Sequence, residues 1–239
     1  MTISVQRVFP TNLLFFLALV SIFGCGEKAI VPSLTSEIAS LSPAQKLVFL
    51  TNKANKGNAD AQNALGSMYA EGKDIPRDYA KGVEWNLKAA AQNNTDAQLF
   101  LFMSYKAGHG VPRDDAKAQS WLQKSAENGN TAAQMFLSSA YDKGDGVQKD
   151  TQKSVAWLRK AAVTGEGLAQ ANLGIKYLNG TTVTPKDLVL AYAWLNLLGG
   201  GGSMGDLRDK LGLRLSKIEL AEAQRLSSNW KKGQDIARE

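Results

Sequence analysis

Few residues of this 239-residue chain have types and spacings that could do chemistry. Ser228-Asn229-Trp230-Lys231 has the S-x-x-K spacing that places a lysine amine one helical turn from a serine oxygen, as in penicillin-recognising enzymes. No S-D-N or K-T-G element accompanies it, and a pattern fixing two residues recurs by coincidence. Asp142, Asp145 and Asp150 in DKGDGVQKD hint at a calcium loop, but the closing position, which calls for a bidentate glutamate, is Lys153. The only histidine, His109, and the only cysteine, Cys25, are far apart in sequence. One Cys and one His together remove disulfide frameworks and most metal sites, and no nucleophile and base are visible together in the sequence. The expectation is a non-enzymatic binding protein with no catalytic residue, no metal and no cofactor.

Cys25 has a different use. Residues 13–23 (LLFFLALVSIF) form an apolar run of export-signal length after a start that carries one cation, Arg7, and the run is too short to span a bilayer. It ends in Ile22-Phe23-Gly24-Cys25, which resembles a bacterial lipoprotein box, although Phe23 stands where that pattern prefers a small residue. The alternative is a plain secretory peptide with an incidental thiol. The resemblance implies lipidation at Cys25, with more than one acyl chain and therefore stable membrane retention. Gly26, not Asp, follows the cysteine, which resembles lipoproteins sent to the outer membrane, facing the periplasm of a bacterial envelope. Removing Arg7 with the leader leaves 27 Lys plus Arg against 22 Asp plus Glu, or +5 instead of +6. No Lys/Arg block is interleaved with stacking aromatics, so no nucleic-acid partner is expected.

The remaining chain is dominated by an internal period. Gln62, Gln98, Gln134 and Gln170 recur at one spacing, as do Tyr69, Tyr105, Tyr141, Tyr177 and Gly72, Gly108, Gly144, Gly180. Trp85, Trp121, Trp157 and Trp194 follow the same ladder, the last step being longer because GTTVTPKD has one residue more than GKDIPRD. Each unit reads as two helices. In helix A, Gln62, Leu65, Gly66 and Tyr69 make one stripe. Asn58, Asn94 and Asn130 are placed to cap it, and the glycine of the ladder to end it. Asp78, Asp114, Asp150 and Asp187 are placed to cap helix B. A small residue (Gly82, Ala118, Ser154, Ala191) precedes each Trp by one turn, so that the neighbouring helix can approach while the Trp covers the gap. One pair cannot bury its apolar stripe alone, and consecutive pairs must stack.

AQNALGSMYAEGKDIPRD with GVEWNLKAA, and GHGVPRDDAKAQSWLQKSA, resemble the Sel-one-like repeat (SLR), a relative of the tetratricopeptide repeat with a longer inter-helix loop. Departures are Phe102 and Ser138 at the position of Gly66 and Gly174, and Gln148 in place of Pro; Phe102 would alter helix spacing in the second unit. The resemblance implies an all-α fold: a right-handed α-solenoid of helix-turn-helix repeats with capping helices at both ends. The expected organisation is a signal peptide over 1–24, a tether over 25–41, an N-terminal capping helix over 42–57 and repeats over 58–93, 94–129, 130–165 and 166–198. A glycine break and C-terminal helical cap occupy 199–239, with Ser216 and Glu219 forming a capping box and Leu220, Ala223, Leu226 and Trp230 near one face.

Consecutive helices A line the concave face of a solenoid. At positions opposite the core stripe the first unit has Asn63, Ala64 and Ser67, whereas the second has Leu99, Phe100 and Met103 and the third Met135 and Phe136. Either these five form one apolar patch for a protein partner, or they are buried by rotation of helix A around Phe102 or by the chain ends folding over them. Some SLR lipoproteins resemble envelope scaffolds and adaptors, others periplasmic immunity proteins that inhibit secreted lipases. Exported SLR proteins linked to β-lactams or cell-wall material carry paired cysteines, which this chain lacks.

Overall fold

The computed structural model describes residue 34 and residues 38–73, 75–181 and 186–236. Cys25 and the apolar run before it lie outside the described residues, as do residues 182–185 in the longer loop of the fourth unit. The described residues form helices joined by turns: α1 (Pro43–Asn55), α2 (Ala59–Glu71), α3 (Tyr79–Ala91), α4 (Thr95–Ala107), α5 (Asp115–Glu127), α6 (Thr131–Lys143), α7 (Thr151–Ala162), α8 (Gly167–Asn179), α9 (Leu188–Asn196), α10 (Gly202–Gly212) and α11 (Lys217–Ser228). Each of α1 to α9 packs on its neighbour in the chain, and α10 and α11 both fold onto α9. The result is an all-α solenoid of four helix pairs, α2–α3 to α8–α9. None of these helices is long and apolar enough to cross a membrane.

Local chemistry fixes where the helices begin and end. The Ala61, Ala97 and Ala133 backbone N–H groups donate to Asn58, Asn94 and Asn130 at 2.8–2.9 Å. Gly72, Gly108 and Gly144 end α2, α4 and α6 in the left-handed conformation that costs glycine little. The loop then closes on itself. The N–H of each capping aspartate donates to the carbonyl of the unit's tyrosine, as Asp78 does to Tyr69 and Asp114 to Tyr105, both at 2.9 Å.

The carboxylates of Asp78 and Asp114 accept from the N–H of Lys81 and Lys117, and these bonds hold both below the ordinary value of 3.8. The stability they confer is therefore complete above pH 3.8 and is lost as pH falls through their depressed values. Asparagine caps as well but does not titrate. Asp78→Asn combined with Asp114→Asn is expected to keep the melting temperature at neutral pH and to flatten its fall in acid, as followed by circular dichroism.

Packing is segmental. Separate apolar clusters sit at successive junctions: Leu50, Ala54, Ala61 and Leu65 before the first unit, Val83, Ala97 and Leu101 between the first and second, and Leu122, Ala133 and Leu137 between the second and third. Leu34, within the expected tether, is buried on the first of these. The last and largest cluster joins the third unit, the fourth and the cap around Trp194 and Leu211.

Within pairs, helices cross where side chains are small. A Cβ on Gly66 would lie 2.8 Å from the Gly82 carbonyl oxygen, and the same crossing in the third unit is bridged by Ser138 and Ser154 hydroxyls at 3.0 Å. Phe102 instead packs on the following junction, its ring centroid 5.9 Å from that of Phe136. The tryptophans divide. Trp85, Trp121 and Trp157 are half-buried under Lys88, Lys124 and Lys160, whereas Trp194 is wholly buried.

A polar ladder ties the units together. Gln62, Gln98, Gln134 and Gln170 each donate to a carbonyl at the end of the preceding helix, those of Ala54, Ala90, Ala126 and Ala162. The amide oxygens of Gln62 and Gln98 then accept from Gln92 and Asn128. Asn94 and Asn130 donate to Asp60 and Asp96 of the preceding helix A. At the third junction these rungs are missing. Ala132 and Glu166 replace the Asp–Asn pair, and Thr164 stands where Gln92 and Asn128 donate, with its hydroxyl turned to the Ala161 carbonyl. Gln134 Oε1 is left buried without a partner. Thr164→Asn supplies the missing donor and is expected to stabilise by about 0.5–1.5 kcal/mol, read as a higher urea midpoint; an unchanged midpoint would contradict this role.

Candidate functional site

The face built by consecutive helices A carries the groove system of the described residues. A groove of about 450 Å³ lies between α6 and α8, floored by Met135, Phe136, Leu158 and Ile175. A second, of about 280 Å³, lies between α4 and α6 over Phe102, Leu122 and Phe136. Phe136, Ser139 and Lys143 line both, so α6 forms the ridge between them.

An ion pair spans each groove. Lys176 of α8 meets Asp142 of α6 at 2.7 Å. Lys106 of α4 meets Asp145 beyond α6 at 2.9 Å and Asp115 at 3.6 Å, and Arg113 holds the other oxygen of Asp115 at 2.9 Å. The bond it donates to Asp145 holds the Lys106 ammonium above its ordinary range, and the Arg113 guanidinium holds the Asp115 carboxyl below its own. Lys143 is exposed between these pairs. The arrangement is an apolar floor with a charged rim.

All five sequence-derived patch residues are half-buried. Phe100 packs on the Val83–Leu101 cluster, Leu99 and Phe136 on the Leu122–Leu137 cluster, and Met135 on the last one. Met135 and Phe136 line the grooves; Leu99, Phe100 and Met103 lie on the α4 side without lining either. Sequence reasoning missed Ile175 and the three lysines, Lys106, Lys143 and Lys176. Only the alignment of units could have shown them, as the charges that change from unit to unit on one helical face.

The other candidate residues are drawn apart. Asp142 and Asp145 pair with lysines and Asp150 caps α7, so the three carboxylates face separate partners. His109 stacks on Tyr79, ring centroids 4.8 Å apart. Ser228 and Lys231 are both exposed at the end of α11. A feature with no sequence signal is the terminal segment after α11. Gly233 N–H donates to the Val163 carbonyl at 2.6 Å, Asp235 meets Arg159 at 3.3 Å, and Ile236 is buried in the last core. Burial pushes the Asp235 carboxyl and the Tyr177 phenol up.

The chain matches the Sel1 repeat over residues 59–94, 95–130, 131–162 and 167–198. A Sel1 repeat protein from Oxalobacter formigenes is similar in structure, with a TM-score of 0.65 and 33% identity over 69% of this chain and 48% of that one. The protective antigen c5321 of uropathogenic Escherichia coli, which displays an SLR fold, is 30% identical over 78% of this chain and 48% of its own, at a TM-score of 0.48. This chain thus spans about half the length of those two solved proteins. No curated protein matches it. With four matched units covering more than half of its length, in the order and geometry described above, the chain belongs to the Sel1 repeat family.

Proposed function

We infer that this chain has a non-catalytic binding role, which its match to the Sel1 repeat, a protein-interaction module, supports. We propose that it is an envelope lipoprotein, held by a lipid on Cys25 at the periplasmic side of the outer membrane, and that it acts as a scaffold, adaptor or inhibitor by gripping a protein partner in the paired grooves about α6. Met135 and Phe136 are the floor of the contact, and Leu99, Phe100 and Met103 extend it along the same helical side. The observation that carries the reading is the coincidence of two apolar-floored grooves with ion pairs at their rims. An incoming charged residue can exchange with the Lys106–Asp145 pair at small cost, because exposed ion pairs are worth only about 0–1 kcal/mol, whereas Lys176 is mostly buried against Asp142.

Substituting Leu99 or Phe100 would confound binding with stability, since both pack on junction clusters. Ser139→Arg combined with Lys143→Glu alters only the ridge. Crosslinking in intact cells followed by mass spectrometry would identify the partner of the parent chain. Loss of that crosslink in the double variant, with unchanged helix content, is the expected result. Undiminished crosslinking would place the contact elsewhere.

A further inference from the structure

The turn between α10 and α11 exposes what a closing cap should hide. Leu211 is buried and Leu215 and Leu220 pack on the last core, yet Leu213 and Ile218, on either side of Ser216, are 89% and 83% exposed. Lys210, Arg214 and Lys217 neighbour them in sequence, all exposed, and no acidic residue occurs in 210–218. The nearest carboxylates are engaged: Asp209 accepts from Arg208 at 2.7 Å, and Glu219 closes the capping box on the Ser216 N–H at 2.9 Å. The turn thus presents two bare aliphatic side chains and three exposed cations within nine residues at the C-terminal end of the solenoid.

An anionic bilayer answers both parts of this tip. Its headgroup phosphates complement the cations, and its acyl boundary accepts short aliphatic side chains without requiring a shaped pocket. We propose that the α10–α11 turn docks on an anionic membrane surface, with Leu213 and Ile218 seated at the headgroup boundary and Lys210, Arg214 and Lys217 on the phosphates. This site is separate from the grooves about α6 and does not rest on a lipid at Cys25. Each cation contributes on the order of fivefold in partitioning near an anionic surface. The contact is consequently weak and reversible alone, and it gains when a second attachment raises the local concentration. A chain tethered at its N-terminal end and touching at this turn lies along the bilayer instead of standing away from it.

The test uses the full chain carrying Cys25→Ser and Leu213→Cys, labelled with an environment-sensitive fluorophore. It is mixed with phosphatidylcholine vesicles with or without phosphatidylglycerol. Gln152→Cys on the exposed side of α7 serves as the comparison site, reporting any tethering through the N-terminal apolar run. The expected result is a blue shift and quenching by lipid-borne quencher at 213 alone, with anionic vesicles alone, reversed by high salt. Arg214→Gln with Lys217→Gln should then require about thirtyfold more lipid for the same shift. The proposal is overturned by a spectrum at 213 that ignores lipid or by an equal shift on neutral vesicles. A shift that grows with protein concentration in the absence of lipid overturns it too, and would mark a contact between copies.

Discussion

Replacing Trp194 with alanine is expected to lower the unfolding free energy by about 3–5 kcal/mol, the range for emptying a wholly buried indole site. Among the described residues Trp194 is the largest side chain with no solvent exposure, and it anchors the cluster that joins the third unit, the fourth and the cap. Its equivalents differ. Trp85 is half-buried with the Lys88 ammonium 3.9 Å from its ring centre, so Trp85→Ala removes less apolar burial and one exposed cation–π contact. Equilibrium urea unfolding of both variants checks the order. Because units in a solenoid are coupled mainly to their neighbours, amide exchange should locate the damage in α8 to α11 and leave α2 to α5 protected. The indole N–H of Trp194 lacks a partner. Trp194→Phe removes that orphan donor along with some volume, and is therefore expected to cost well below the alanine variant.

Gly110→Ala is expected to destabilise by about 3–4 kcal/mol, from the sum of a left-handed backbone and a backbone collision. Gly110 has φ +75°, and a Cβ there would sit 2.3 Å from the carbonyl oxygen of Tyr79, at the start of α3. Backbone cannot move aside without shifting the helix. Gly146 occupies the same place one unit later with φ +72°, but its Cβ would meet only the end of the Gln119 side chain at 3.2 Å. Gly146→Ala should therefore cost only the conformational part, about 1–2 kcal/mol. Chemical denaturation of the two variants measures the difference, and equal losses would show that the loop yields instead of the helix. His109 stacks on Tyr79 in this same contact, which accounts for the single histidine as a packing residue of the inter-unit loop.

Much of the architecture was legible because its determinants are local. An asparagine cap acts within its own first turn, and a terminal glycine acts on the turn it closes; the period of such residues reads directly as helix pairs. The glutamine ladder was legible as a period but not as a mechanism. Gln62 looks like part of the core stripe, and only the stacked units reveal that its amide reaches the Ala54 carbonyl of the helix before. The tryptophans were misleading in a related way. Their common spacing suggests one role, yet Trp194 is enclosed because the cap covers the last unit, while Trp157 keeps a lysine over its ring.

The candidate site was legible by side but not by extent. Helical phase placed Leu99, Phe100, Met103, Met135 and Phe136 on the face opposite the stripe of their own unit, but the next unit decides how much of each stays open. Phe100 is taken up by the junction before it and Leu99 by the junction after it. Ile175 and Lys176 enter the larger groove from a helix that does not stand out by composition. The terminal segment gave no signal at all, because Ile236 is a single apolar residue whose burial depends on the chain doubling back to Val163.

The missing rungs at the third junction bear on how the solenoid bends. Directional bonds at the first two junctions, from Gln92, Asn94, Asn128 and Asn130, fix the rotation of one unit on the next. At the third, that role falls to Gln170 on the Ala162 carbonyl, Arg159 on the Tyr177 hydroxyl and the Lys176–Asp142 ion pair. The amide rungs that repeat at the first two junctions are thus replaced by charged side chains at the third. That is also where the 450 Å³ groove opens, spanned by Lys176 and Asp142, so an ion pair and not an amide rung sets its width.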